Sequence, residues 1–334
     1  MHAPGDVRVE DREHPTIIEP TDAVIKLAAT CICGSDLWPY RGAEPVDHQP
    51  MGHEYVGTVT EIGADVRTLA VGDFVVGSFF ASDNTCEICR AGYQTHCVHR
   101  QQGAPGGAQS EYARIPLADG TLVATPGQPD PDLIPSLLAA SDVLGTGWFA
   151  AVAAEVGPGK TVAVVGDGAV GLLGILAAKE LGAERIIAMS RHADRQALAR
   201  RFGATDIVEE RGDEGVARIK ELTGGLGAHS TIEAVGTQEA MMQAIRATRA
   251  GGHVGFVGVS HDVAIDGFQL FFSGVHLHGG PAPVRRFLPD LIQLIWDREI
   301  DPGVVFDLVL PLEEAAEGYR AMDERRAVKV LLTV

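Results

Sequence analysis

The strand-like run Thr161-Val162-Ala163-Val164-Val165 passes without a break into Gly166-Asp167-Gly168-Ala169-Val170-Gly171, and an apolar-periodic helix follows over 170–181. A strand, a glycine turn and a helix in that order constrain the fold more than any other feature of the chain. The glycines let the backbone turn tightly, approach a pyrophosphate and pack helix against strand. The helix start then offers free N–H groups and the positive end of a dipole to an anion. A glycine triplet alone is a weak signal, and a glycine-rich structural turn is the alternative. The flanking strand and helix argue for the nucleotide. The alternation continues through a strand over 186–189, a helix over 194–202, and further strands over 230–234, 252–257 and 276–278. Such alternation specifies a doubly wound parallel sheet. Gly166, Gly168, Ala169, Val170 and Gly171 are its expected dinucleotide-binding residues.

The end of the second strand selects the dinucleotide. A cofactor without a 2′-phosphate meets an Asp or Glu there, which accepts from the ribose hydroxyls. Here the strand ends Met189-Ser190-Arg191-His192, with Ser190 in the place of the acid. Loss of the carboxylate and gain of Arg191, helped by Arg195, suit a 2′-phosphate dianion. NADP is expected, with NAD as the alternative in which Arg191 is a solvated helix-start residue.

Upstream of this region the chain is rich in Gly, Pro and short β-branched runs, at 24–27, 57–62 and 74–77, as in a small β-barrel. That part carries metal chemistry. Cys33-Gly34-Ser35-Asp36 and Gly52-His53-Glu54 supply a thiolate, an imidazole and carboxylates suited to one zinc ion. Five cysteines are an odd number, and three crowd into Cys86, Cys89 and Cys97, which reads as metal ligation and not as a disulfide framework. With 334 residues, 46% of them hydrophobic, two medium-sized cores are expected. A net charge of −18 excludes nucleic-acid and anionic-membrane partners. No apolar run approaches the ~20 residues needed to span a bilayer, and no segment resembles a signal peptide, so a cytoplasmic enzyme is expected.

The stretch Gly52 to Val66 meets the pattern Gly-His-Glu-x-x-Gly-x5-Gly-x-x-Val without a gap. By this motif the chain resembles the zinc-dependent medium-chain alcohol dehydrogenases, over nearly its whole length. The resemblance implies an α/β protein with a GroES-like β-barrel catalytic domain over 1–143 and 284–334 and a Rossmann domain, the doubly wound parallel sheet, over 144–283. The tail, with strand-like 304–306 and 328–332, is expected to return to the first domain. Cys33 and His53 become ligands of a catalytic zinc, with Asp142 in Ser141-Asp142-Val143-Leu144-Gly145-Thr146-Gly147 as the third. Glu54 corresponds to a carboxylate that can replace water on the metal, and Asp36 to the acceptor that orients His53. Ser35 corresponds to the hydroxyl that takes the alcohol proton. The next relay position, a His in many relatives, is Trp38, so the proton would pass through water or a ribose hydroxyl. Trp38 and Trp148 are expected to line the substrate pocket, with plain core aromatics as the alternative. Thr146 is expected against the nicotinamide ring, the Val257 backbone at its carboxamide, and Lys329 near the pyrophosphate.

A lobe at about 82–98 resembles a four-cysteine structural zinc site in which the first cysteine has become Asp83, joined by Cys86, Cys89 and Cys97. His96 is the substitute ligand should Asp83 point away. Cys31 is expected to be a buried apolar thiol. The activity implied is hydride transfer between an alcohol and NADP(H), the zinc lowering the pKa of the alcohol or polarising the carbonyl. A small-molecule alcohol, aldehyde or ketone is the expected partner, and a homodimer or homotetramer the expected assembly. Rival readings within the superfamily are a polyol or sugar dehydrogenase, a formaldehyde dehydrogenase and a reductase of conjugated double bonds. A non-catalytic NADPH-binding protein is the rival from another class, and Cys33, Ser35, His53 and Asp142, all in place, speak against it.

Overall fold

A computed structural model describes residues 1–334. The chain divides into two units, Met1–Gly145 with Pro283–Val334, and Thr146–Ala282. No single helix is long and apolar enough to cross a membrane.

The first unit is built around the strand Ala23–Ile32, buried along nearly all of its length. On one edge it pairs antiparallel with Tyr55–Ile62. Elsewhere it pairs with Tyr112–Ile115 through Ala23–Lys26 and with Val330–Thr333 through Ala29–Ile32. Phe74–Gly77, Leu122–Ala124 and Leu308–Pro311 complete a seven-stranded sheet. Register shifts between Val24 and Ile25 and between Leu27 and Ala29 bend the central strand, as a sheet that curls onto itself requires. Ile25, Leu27, Tyr55, Val59, Val75, Ile115 and Leu122 fill its interior. Gly57 permits the closest approach, because a Cβ there would lie 2.2 Å from the Lys26 carbonyl oxygen.

The C-terminal tail joins this unit through Val330–Thr333. The strand expected at Val304-Val305-Phe306 is instead a 3₁₀ helix, Pro302–Val305. Pro302 presets the first turn, and Gly303 packs so closely on Ser136 that its N–H donates to the Ser136 Oγ at 3.0 Å. The strand forms only after that turn, at Leu308–Pro311.

The second unit is a six-stranded sheet in the order Asp206–Val208, Arg185–Met189, Thr161–Val165, Ala228–Glu233, Thr248–Phe256, His276–Gly279. Every pairing in it is parallel. The central strand Thr161–Val165 and most of Arg185–Met189 are apolar runs, as strands buried in a parallel sheet require, and the helices Ala169–Glu180, Ala193–Phe202, Gly212–Leu222 and Gln238–Ala247 alternate with the strands. The edge strand Asp206–Val208 is pinned to its neighbour by a two-point ion pair. Arg185 Nε donates to Asp206 Oδ2 at 2.8 Å and Nη2 to Oδ1 at 2.7 Å. This edge fixes the end of Arg185–Met189, since the Ser190 N–H donates to the Val208 carbonyl at 3.0 Å.

Hydrogen bonding from Arg185 holds the Asp206 carboxyl down at about 2, against the opposing effect of partial burial. The folded pKa lies below the ordinary carboxylate value of about 3.9. The contribution is therefore complete above that value and lost as pH falls from there toward 2. The pair is partly exposed, so the effect is screened to about 0.5–1 kcal/mol. Asp206→Asn should lower the unfolding midpoint at pH 7, and the gap to wild type should close between pH 4 and pH 2 in thermal melts followed by circular dichroism. A gap independent of pH would show that the pair contributes nothing through its charge.

Candidate metal centres and cofactor site

The strand Ala23–Ile32 ends one residue before Cys33, and Tyr55–Ile62 begins one residue after Glu54. The two strands are antiparallel with Thr30 opposite Tyr55, so their register brings Cys33, His53 and Glu54 to one end of the sheet. Asp142 enters from the turn between the helices Ile134–Ala140 and Val143–Ala153. One ligand atom from each of Cys33, His53, Glu54 and Asp142 lies within 4.8 Å of the others. His53 Nε2 stands 3.2 Å from Asp142 Oδ2, and Cys33 Sγ stands 3.8 Å from the same oxygen. A tetrahedral zinc ion with bonds of about 2.0–2.3 Å would separate its ligands by about 3.3–3.8 Å; the Cys33–Asp142 pair falls at the upper end of that span and the His53–Asp142 pair just below it. Glu54 Oε2 is buried without a hydrogen-bond partner, a free carboxylate oxygen of the kind a cation would satisfy.

Behind the ligands stands Asp36. Its Oδ2 accepts from the Cys33 N–H at 2.9 Å, and its Oδ1 lies 3.5 Å from His53 Nδ1. The ring is thereby held with Nε2 toward Asp142. Gln109 was not foreseen in this group. Its Nε2 donates to Asp36 Oδ2 at 3.3 Å and to the Cys31 carbonyl at 3.1 Å, and its Oε1 accepts from the Tyr319 hydroxyl at 3.0 Å. Burial drives the Cys33 thiol upward, with the Glu54 and Asp142 charges adding to it. Burial disfavours the His53 imidazolium, yet Asp36, Asp142 and Cys33 together hold its pKa well above the usual value. A buried site in which acids crowd one imidazole calls for positive charge.

Lys329 supplies part of that charge. Its Nζ donates to Glu54 Oε1 at 2.7 Å and to the Ile32 carbonyl at 3.3 Å, and both side chains are 1% exposed. The register explains it: Lys329 directly precedes Val330, which lies opposite Ile32. Burial alone would lower the pKa of this ammonium, but Cys31, Glu54 and Cys33 hold it well above the usual lysine value.

The second cluster is Asp83, Cys86, Cys89 and Cys97, again with one ligand atom each within 4.8 Å of the others. Asp83 Oδ1 accepts from the Thr85 and Cys86 N–H groups at 2.8 and 3.1 Å, and Oδ2 lies 2.7 Å from His99 Nδ1. Cys86 caps the helix Glu87–Arg90, its sulfur accepting from the Cys89 N–H at 3.4 Å. Cys97 Sγ accepts from the Asp83 and His99 amides at 3.5 and 3.3 Å and lies 4.0 Å from Cys86 Sγ. Backbone amides of Val98 and Cys89 pull the Cys86 thiol down to about 7, toward the thiolate a metal needs. His96 stands outside this group, its Nδ1 3.3 Å from Thr95 Oγ1. All five cysteines are free, and Cys31 is buried.

In the second unit the glycine turn follows Thr161–Val165 and opens the helix Ala169–Glu180. Gly166 has φ +118°, and a Cβ at Gly171 would stand 2.0 Å from the Gly166 oxygen. The fold itself demands those two glycines. Gly168 differs: its backbone is extended, with φ −79° and ψ −179°, and a Cβ there would meet nothing within 4 Å. Open space above the helix start is where a pyrophosphate would lie against the backbone, so the turn fits a dinucleotide. Ser190 is buried and donates from Oγ to Asp167 Oδ2 at 2.7 Å. Arg195 Nη1 donates to the Asp167 carbonyl at 3.2 Å and to its Oδ1 at 3.4 Å. Arg211, from the loop after Asp206–Val208, joins unforeseen, with Nη2 3.9 Å from Asp167 Oδ2. Arg191 is exposed.

The remaining expected residues sit as follows. Ser35 lies half-buried in the 3₁₀ turn Gly34–Asp36, and Trp38 is half-buried in the short helix Leu37–Tyr40. Thr146 is buried and Trp148 half-buried on Val143–Ala153. The Val257 N–H donates to the Glu233 carbonyl at 2.9 Å.

Family models match both parts of the chain: an alcohol dehydrogenase GroES-like domain over residues 19–126 and a zinc-binding dehydrogenase over residues 169–296. The chain is 34% identical over 343 aligned residues to zinc-type alcohol dehydrogenase B of Aspergillus flavus, covering 99% of this chain and 79% of that protein. Among solved structures it superposes on alcohol dehydrogenase TADH from Thermus sp. ATN1 with a TM-score of 0.90 at 30% identity, covering 100% of this chain and 98% of that one. A zinc-binding dehydrogenase from Sinorhizobium meliloti, solved bound to NADP, superposes with a TM-score of 0.82 at 26% identity over 100% and 97% of the two chains.

The buried Glu54–Lys329 pair yields a direct test. Lys329→Met leaves a buried carboxylate without its counter-charge and should destabilise the protein by about 3–5 kcal/mol, the scale measured when one partner of such a pair is removed. Urea unfolding measures the loss, and adding Glu54→Gln to Lys329→Met should recover part of it. A single variant as stable as wild type would mean that Glu54 finds other compensation.

Proposed function

The chain belongs to the zinc-dependent medium-chain alcohol dehydrogenases, and from that premise we propose that it interconverts a small alcohol and its aldehyde or ketone with NADP(H) at the Cys33, His53 and Asp142 cluster. The observation that carries the proposal is the convergence of these three side chains with Glu54 within 4.8 Å at one sheet end. Zinc, when bound, supplies a Lewis acid for the substrate oxygen, and the nicotinamide supplies the hydride acceptor or donor. The chain does the rest. Asp36 fixes the His53 ring through Nδ1. Lys329 anchors one oxygen of Glu54 and leaves the other without a hydrogen-bond partner. Ser35, two residues after Cys33, is assigned the alcohol proton. With Trp38 in the next relay position, the proton leaves by water or a ribose hydroxyl.

The second cluster is assigned to a structural zinc held by Asp83, Cys86, Cys89 and Cys97. Thr146, Val257 and the turn from Gly166 through Ala169 and Val170 to Gly171 are assigned to the dinucleotide. NADP preference is supported by the cationic and hydroxyl donors Ser190, Arg195 and Arg211, all within reach of one point, and by the exposed Arg191 beside them. Trp38 and Trp148 favour an apolar alcohol over a polyol. A homodimer or homotetramer is the proposed assembly.

Initial rates with both cofactors on a panel of alcohols, polyols, aldehydes, ketones and enones test the reading, together with metal analysis. About two zinc ions per chain are expected, falling to about one in Cys33→Ser and in Cys86→Ser. Cys33→Ser should lower kcat by roughly 10³-fold or more, the scale of losing a group that stabilises developing charge. Full turnover in Cys33→Ser would refute the metal mechanism. A preference for enones would move the chain to the double-bond reductases, and a preference for NAD would remove the phosphate assignment.

A further inference from the structure

The residue between the first two glycines of the turn is an acid, and it stands where a cofactor phosphate is expected. The Asp167 carboxylate accepts from Ser190 Oγ at 2.7 Å and from Arg195 Nη1 at 3.4 Å, and Arg211 Nη2 lies 3.9 Å away. Asp167 and Arg195 are each about five-sixths buried, with side-chain exposures of 15% and 16%. One hydroxyl and two guanidinium groups are a donor set for a doubly charged phosphate. A single carboxylate from the glycine turn already accepts from the Ser190 hydroxyl and one Arg195 nitrogen and draws the charge of Arg211.

We propose that Asp167 is a resident anion that sets cofactor selectivity: it occupies the donors a 2′-phosphate would use and weakens the preference for NADP. The proposal rests on the reading that this turn binds a nicotinamide dinucleotide. Two consequences follow from charge and hydrogen bonding. A 2′-phosphate entering beside Asp167 meets a like charge and competes for the Ser190 hydroxyl and the Arg195 Nη1. A ribose that keeps its free 2′-hydroxyl meets a carboxylate acceptor, the group that Ser190 fails to provide at the strand end. Asp167 thus moves the acid from the end of the second strand into the turn, beside the arginines that would favour NADP. The chain carries both recognition devices at one point, and Asp167 decides their balance.

Calorimetric titration of the full-length chain with adenosine 2′,5′-bisphosphate and with 5′-AMP tests this without turnover. Asp167→Asn should bind the 2′-phosphorylated probe about tenfold more tightly than wild type. Its 5′-AMP affinity should stay level or fall. Asp167→Ser should move the ratio of the two affinities the same way, and it carries the test should the Asn variant fold poorly. A ratio unchanged or lowered in the variants overturns the proposal, because Asp167 then serves only to hold Arg195 and Arg211 in place. The wild-type ratio judges the NADP reading separately. A wild type that favours 5′-AMP, with variants that swing to the 2′-phosphorylated probe, would end that reading and uphold the role of Asp167. A wild type and variants blind to the 2′-phosphate would end both.

Discussion

The antiparallel register between Ala23–Ile32 and Tyr55–Ile62 is the constraint on which the rest of the first unit hangs. Thr30 lies opposite Tyr55, so the residues leaving one strand and those entering the other meet at the same end. The opposite edge of the central strand receives Val330–Thr333, with Ile32 opposite Val330. Three chain segments far apart in sequence are thereby brought to one place, carrying Cys33, Glu54 and Lys329. A one-residue slip of either pairing would turn these side chains to the other face of the sheet. Gly57 locks the pairing from within: only hydrogen fits between its Cα and the Lys26 carbonyl. The Gly-His-Glu-x-x-Gly motif therefore couples His53, a candidate ligand, to the residue that fixes the strand following it.

Electrostatics complete what register begins. Cys33, Asp36, Glu54 and Asp142 are all buried, and an uncompensated charge of that kind is strongly disfavoured. Lys329 answers Glu54 directly, and His53 sits between Asp36 and Asp142. The remaining negative character is what a divalent cation would neutralise, which is why the donor set reads as a metal centre. The lobe at Asp83 reaches the same end by another route. There the backbone supplies the stabilisation, through amides of Thr85, Cys86, Cys89 and His99 aimed at Asp83, Cys86 and Cys97. Backbone N–H groups lower the Cys86 thiol in this way, whereas burial pushes the Cys89 and Cys97 thiols up.

What could be read from sequence follows from how local each signal is. The parallel sheet was legible because apolar runs, glycine turn and helix are written consecutively over 161–181. The residues that gather in the two clusters were singled out through short motifs and a resemblance to a known family. Gln109, Arg211 and the inward turn of Lys329 were not. Gln109 reaches Asp36 only because the loop that carries it packs on Gly52, where a Cβ would stand 2.6 Å from it. Arg211 arrives by way of an edge strand held through Arg185 and Asp206. Lys329 depends on the pairing of the last strand with one about 300 residues earlier, a contact that no local pattern encodes. Val304-Val305-Phe306 failed for the opposite reason. Its β-branched residues argue for a strand, but Pro302 and the close seat of Gly303 on Ser136 impose a turn.

The glycine turn separates what the fold requires from what a ligand requires. Gly166 and Gly171 cannot carry a side chain without striking backbone or neighbouring atoms of the protein itself. Gly168 could carry one freely, as far as the protein is concerned. Its lack of a Cβ keeps open the space at the start of Ala169–Glu180, where the helix dipole favours an anion. Asp167, between them, answers to neither demand. Its side chain turns toward Ser190, Arg195 and Arg211, away from the packing that fixes its neighbours. A position whose side chain faces a charged subsite is where selectivity can be set. The strand end carries a hydroxyl in the place of an acid, the turn carries an acid between two glycines, and both look at the same point in space. The identity of the residue at the strand end therefore cannot be interpreted alone, since the group opposite it decides what charge that corner presents.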